Sequence, residues 1–153
     1  MATINYLTTI EFDFGAIAKL GETVRALGVR RPLLVTDPGL ASTDVFGRVL
    51  GALGKVRPAV FDRTPENPHE GAVGDAVALY TSEDCDGVIA VGGGSPIDLG
   101  KAVALLATHV GPLEQYALID GGLAKITSKV APLIAIPTTA GTGSEVGRGA
   151  LIT

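Results

Sequence analysis

A single cysteine, Cys85, stands among the 153 residues, so no disulfide can close within the chain, which agrees with a reducing compartment. Cys85 comes just before an apolar run and reads as a core residue rather than a nucleophile. Charge is scarce as well. Only 18% of residues are charged, the formal net charge is −4, and among the scattered basic residues only Arg30 and Arg31 are adjacent. That leaves no footprint for nucleic acid or for an anionic membrane. Long apolar runs are also lacking. The longest charge-free stretch, Val130 to Ser144, is broken by Pro132 and Pro137, and a spanning helix needs about 20 apolar residues in a row. The N-terminus has no Lys or Arg before Lys19 and carries Glu11 and Asp13, unlike a signal peptide. A cytoplasmic address is the default expectation. No internal repeat or low-complexity tract is visible.

What is present is one domain's worth of chain, 46% hydrophobic, with a mean hydropathy of +0.39. That is apolar for a soluble domain, as if one face normally packed against something further. Strand and helix patterns alternate. Leu33 to Thr36, Pro58 to Phe61, Val88 to Val91 and Leu133 to Ile136 are short continuous apolar runs, as expected of strands buried on both faces of a parallel sheet. Ile17, Leu20, Val24 and Leu27 recur at helical spacing between them, as do Val45, Val49 and Leu53, and Val73, Val77 and Tyr80. A fourth helix, from about Pro96 to Ala107, is apolar nearly all round and should be covered on most sides. The expected fold is α/β, a doubly wound, mostly parallel Rossmann-like sheet with helices on both faces. Asn5 to Phe12 could add a strand at one edge, and Gly149 to Thr153 looks like the opening of another. Because no turn or cap closes that last stretch, the chain reads as a fragment or a trimmed piece.

The sharpest local signal runs from Val88 through Gly92-Gly93-Gly94-Ser95-Pro96-Ile97-Asp98-Leu99-Gly100-Lys101. A strand enters three glycines and then a helix start. Ser95 is the expected N-cap, Pro96 the first helical residue and Asp98 the capping-box acid. Free amides at such a start favour an anion, with phosphate or pyrophosphate the natural guest. A tight, well-capped turn without a ligand is the plainer alternative. The spacing is neither G-x-G-x-x-G nor a Walker loop. Asp98 and Lys101, three apart on one helical face, could form a simple ion pair or lean over a nucleotide.

A second polar loop, Pro137-Thr138-Thr139-Ala140-Gly141-Thr142-Gly143-Ser144-Glu145, leaves the same kind of strand end. Ligands of open α/β sheets gather at those ends, and hydroxyls can satisfy phosphate or ribose oxygens without adding charge. An ordinary flexible loop would look the same. Asp37, in Asp-Pro-Gly after the first apolar run, is turn chemistry, or else an acceptor for ribose hydroxyls that repels a 2′-phosphate. Asn67, in Pro-Glu-Asn-Pro, sits in another strand-end loop.

Taken together, the two loops resemble the iron-containing alcohol dehydrogenase family, within the dehydroquinate-synthase-like fold. The resemblance spans essentially the whole chain. It implies that residues 1–153 are the NAD(P)-binding domain of a two-domain dehydrogenase, with a helical C-terminal domain outside this chain. It places pyrophosphate at Gly93, Gly94 and Ser95, with Asp98 alongside. It places further nucleotide contacts at Thr138, Thr139 and Thr142, adenosine ribose near Asp37, and Asn67 towards the nicotinamide. NAD is expected ahead of NADP, with Fe2+ or Zn2+ in the second domain, a small alcohol or aldehyde as substrate, and a homo-oligomer when intact. The segment Val-Gly-Arg-Gly after Glu145 departs from the family's usual continuation, and nothing is carried over there.

No catalytic or metal residue is carried over to this chain. The family's ligands are one Asp and several His of the second domain, whereas His69 and His109 lie far apart in no ligand spacing. They are expected at a helix start and a helix end, hence at opposite edges of the sheet. Asp98 and Glu145 are expected to be committed to capping and hydrogen bonding. A glycerol-dehydrogenase or dehydroquinate-synthase relative, or a non-catalytic nucleotide-binding module, would share these features.

Overall fold

The computed structural model describes residues 2–5 and 8–153, with side chains from residue 8 onward. Strands β1 (Ala2–Asn5) and β2 (Thr9–Phe12) pair antiparallel as a small ribbon of their own. The expected edge strand from Asn5 to Phe12 is therefore not one: its second half pairs with chain just before it, and residues 6 and 7 lie outside the described residues. Thr9-Ile-Glu-Phe alternates polar and apolar, which suits a half-exposed ribbon better than a sheet covered on both faces.

The main sheet contains β3 (Pro32–Val35), β4 (Ala59–Phe61), β5 (Gly87–Gly92) and β6 (Leu133–Pro137), all parallel, in the order β4-β3-β5-β6. These coincide with the four apolar runs. Helices α1 (Leu20–Ala26), α2 (Pro38–Ala41), α3 (Asp44–Ala52), α4 (Glu70–Ser82) and α5 (Gly94–Leu106) connect them. Every residue of β3 and β5 is buried, because helices cover both sheet faces. On one face Leu20 and Val24 of α1 and Val49 of α3, with Leu53 just after it, pack on Leu34, Ile89 and Val91. On the other, Val73, Ala76 and Tyr80 of α4 and Leu99 and Val103 of α5 pack on Leu33, Val35 and Val88. The register pairs Leu33 with Val88 and Leu34 with Ile89, so each strand offers alternate residues to the two cores.

Two predicted core positions fall outside. Leu27 is 47% exposed because α1 has ended at Ala26, and Val45 is 37% exposed in the first turn of α3, at the rim. Cys85 packs partly buried against the α4–α5 core, as expected of it. Burial, reinforced by Glu83 and Asp86, pushes its thiol up to about 11, the opposite of an activated nucleophile. At Gly100, α5 comes so close to the sheet that a Cβ there would sit 2.7 Å from the Ala90 Cβ. Short 3-10 turns fill residues 113–125.

The last stretch is not a strand. Residues 149–153 form a strap without regular structure, whose partners are the Asp98 and Lys101 side chains, the Pro68 carbonyl and the Glu70 N–H rather than a neighbouring strand. Its Leu151 N–H donates to Asp98, and its Thr153 N–H donates to the Pro68 carbonyl at 2.9 Å. Among the described residues, no helix is long and apolar enough to cross a membrane.

Candidate functional site

The strand order fixes where a ligand can sit. From β3 the chain moves outward to β4, and from β5 it moves the other way to β6, so the order reverses between β3 and β5. A crevice opens at the carboxyl ends of such a strand pair. Asp37 follows β3 there, and Gly92-Gly93 end β5. Gly92 has φ of 147°, a conformation side chains rarely adopt, and a Cβ on it would meet the Pro96 ring at 2.6 Å. The same imagined Cβ lies 3.3 Å from Asp37 Oδ2, so the acid leans towards the glycine turn. Its other oxygen, Oδ1, accepts from the Leu40 N–H at 2.9 Å and caps α2. Asp-Pro-Gly is thus a helix start rather than a plain turn, and Asp37 is both cap and crevice wall.

The start of α5 corrects the expected capping scheme. Gly93 is the N-cap, and Ser95 and Pro96 stand inside the first turn. Ser95 Oγ turns away from the helix and donates to the Glu66 carbonyl. Asp98 caps nothing; its oxygens bind Lys101 Nζ at 3.1 Å and the Leu151 N–H at 3.1 Å. No side chain caps α5, so its first amides have no side-chain acceptor. An anion is the natural partner for such a start.

The second polar loop folds over this turn. Its first amide, Thr138 N–H, donates to the Gly92 carbonyl at 2.9 Å. A Cβ on Gly93 would lie 3.4 Å from Thr139 Oγ1, and one on Gly94 would lie 3.3 Å from Ser144 Oγ and 3.5 Å from Thr142 Cβ. Bare glycine backbone thus faces three hydroxyl-bearing residues. The Asn67 loop arrives from the other side, tied through Ser95 to Glu66. Asn67 itself is exposed. The structure therefore gathers Asp37, Asn67, Gly93, Gly94, Ser95, Thr138, Thr139 and Thr142 at one edge of the sheet.

Some features went unforeseen. Ser144 lies as close to Gly94 as any threonine does, although only its place within the loop hinted at this. The hydroxyls of Thr36 and Thr64 are buried without a partner behind Asp37, and Glu145 Oε2 is also buried and unpartnered. Glu145 is therefore not committed to a hydrogen bond through that oxygen as expected. The histidines behave as expected. His69 caps α4, its Nδ1 accepting from the Ala72 N–H at 3.2 Å. His109 lies beyond the end of α5 and binds Thr127.

Residues 8–153 match the family model described as iron-containing alcohol dehydrogenase. The chain belongs to the iron-containing alcohol dehydrogenase family. It is 56% identical over 152 residues to a 4-hydroxybutyrate dehydrogenase of Cupriavidus necator, a match covering 99% of this chain and 40% of that protein. The family likeness extends to solved structures. A crystal structure of 1,3-propanediol oxidoreductase superposes with a TM-score of 0.77 at 39% identity, covering 85% of this chain and 34% of the other. Sulfoacetaldehyde reductase from Bifidobacterium kashiwanohense, solved with NAD+, gives 0.75 at 30% identity, covering 86% and 34%. The chain thus spans well under half the length of these family members.

A dinucleotide fits the residues present: an uncapped helix start, a glycine cradle that a Cβ would fill, and hydroxyls opposite. A metal does not fit them. Among the described residues, no group of three or more His, Cys, Asp or Glu is placed to hold an ion.

Proposed function

We propose that this chain is the nucleotide-binding part of an NAD-dependent dehydrogenase acting on small alcohols or aldehydes. The observation that carries the reading is the convergence of Gly93 and Gly94 with Thr139, Thr142 and Ser144 beside an uncapped helix start. Backbone amides of Gly93, Gly94 and Ser95 would bind the pyrophosphate, where positive helix-end charge and the absence of Cβ atoms allow close approach. Thr138, Thr139 and Thr142 would add neutral donors. Asp37 would accept from the adenosine ribose, and Asn67 would stand towards the nicotinamide. NAD, when bound, supplies a ring that accepts hydride from the alcohol carbon. The NAD+-bound relative and the dehydrogenase names among the relatives support this assignment. The 4-hydroxybutyrate dehydrogenase relative makes a hydroxy acid of that kind the first substrate to assay in the whole enzyme. The iron or zinc that would polarise the alcohol oxygen belongs outside the matched residues, in a C-terminal domain.

Calorimetry with NAD and ADP-ribose tests the assignment. The chain should bind both weakly. Gly94→Val, whose side chain would press on Ser144 and Thr142 and fill the pyrophosphate path, should lose at least about tenfold in affinity with an unchanged circular dichroism spectrum. Equal affinities in parent and variant would remove the assignment.

A further inference from the structure

We propose that Asp98 and Lys101 are positioning residues: together they clip the strap 149–153 onto α5 and so hold the second polar loop against Gly93 and Gly94. The inference rests on the nucleotide-binding reading above and gives this pair a role there that involves no contact with the nucleotide.

The connections are specific. Lys101 Nζ donates to Asp98 Oδ1 at 3.1 Å and to the Gly149 carbonyl at 2.6 Å, while Asp98 Oδ2 accepts from the Leu151 N–H at 3.1 Å. Both side chains are mostly buried, at 11% and 13% exposure, so the pair is shielded from solvent more than a surface ion pair would be. Both carboxylate oxygens are already engaged, and the ammonium has two acceptors. The strap has little else to hold it there, because Leu151 is 77% exposed. Further along, Ile152 packs on the core, and Thr153 exchanges backbone hydrogen bonds with Pro68 and Glu70, beside Asn67.

The second loop therefore stands on two feet, both planted on the β5–α5 unit that carries the glycine turn. One foot is Thr138 N–H on the Gly92 carbonyl, and the other is the Asp98–Lys101 clip. Thr142, Gly143 and Ser144 line one side of an open depression of about 370 Å³ whose other side is Asp98, Lys101 and the strap. A loop with both ends pinned has less freedom to lose when a ligand orders it, so the clip should raise nucleotide affinity without touching the nucleotide.

The test uses this chain with ADP-ribose as the probe, and limited trypsin digestion as a readout that needs no nucleotide. Arg148 is exposed, between the loop and the clip. Asp98→Ala removes the carboxylate, and Leu151→Pro removes the N–H that it binds while leaving the carboxylate and Lys101 in place. Each should speed cleavage after Arg148 about tenfold relative to cleavage elsewhere, and each should weaken ADP-ribose binding about fivefold. The double variant should be no worse than either single one, because both break the same link. Lys101→Met, which keeps the aliphatic stem, provides the same two readouts if Asp98→Ala fails to fold. Unchanged cleavage at Arg148, or affinity losses that multiply in the double variant, would overturn the proposal and place Asp98 on the nucleotide itself. If the parent binds no ADP-ribose at all, the functional reading falls, while the cleavage rates still decide whether the clip exists.

Discussion

Asp37 joins a structural role to the recognition role proposed for it. Its Oδ1 caps α2 at 2.9 Å, and its Oδ2 faces the glycine turn. The two roles separate chemically, because Asn caps a helix as well as Asp does but carries no charge. Asp37→Asn should leave thermal stability unchanged and narrow the preference for NAD over NADP about tenfold, as expected when repulsion of a 2′-phosphate disappears. Dissociation constants for both cofactors, parent against variant, check this; a parent that binds them equally would leave Asp37 as a cap only. Cys85 gives a second prediction at this scale. Its folded thiol keeps its proton to about 11 where an ordinary one releases it near 9.0, because burial disfavours the thiolate. Between those values the folded state binds more proton than the unfolded state. Stability is thus fully present below about pH 9 and falls as pH rises towards 11. Tyr80, also raised by burial, acts in the same direction at higher pH. Denaturant midpoints near pH 8 and pH 10.5 should fall less steeply in Cys85→Ala than in the parent.

The elements of the main sheet were the most legible part of the chain, for a physical reason. A parallel strand covered on both faces has no polar side, so β3, β4, β5 and β6 each appear as a continuous apolar run. Ends were harder. The α5 start was misplaced because Ser95 and Pro96 suit a cap and a first residue, yet Gly93 can cap and Pro is tolerated anywhere in the first turn. The β1–β2 ribbon and the strap depend on partners that local patterning does not encode. At the candidate site, residue types pointed to Gly93, Gly94 and the threonines, whereas the contact between Asp98 and Leu151 lies 53 positions apart and leaves no local trace. The close seating of α5 supports a prediction on stability. Gly100→Ala would place its Cβ 2.7 Å from that of Ala90, forcing the helix off the sheet. It should cost about 1–3 kcal/mol by urea unfolding, against the gain that Gly→Ala normally brings in a helix. An unchanged or raised midpoint would mean that α5 shifts freely.

For the molecule as a whole, the chain matches 40% of a longer relative. Hydride transfer from an alcohol needs an acid to stabilise the alkoxide near neutral pH, and a bound divalent ion in turn needs several converging ligands. His69 is occupied capping α4 and His109 is occupied with Thr127, on different elements, and neither has a neighbouring donor set among the described residues. Purified chain should therefore hold well under one equivalent of iron or zinc by elemental analysis. It should also form no NADH from small primary alcohols with either metal added. Stoichiometric metal together with turnover above blank would place the chemistry in this part of the protein after all.

The approach of α5 to β5 also has a consequence for how such sequences can drift. Position 100 has room for hydrogen and no more, because a Cβ there would lie 2.7 Å from the methyl group of Ala90. Each residue is free to vary only when the other gives way, so the two should change together across family members. A chain with alanine at 100 should carry glycine at 90, and a chain with valine at 90 should never carry anything but glycine at 100. Neither position touches the candidate nucleotide site, so this covariation would record the packing distance alone and would hold whatever each enzyme oxidises.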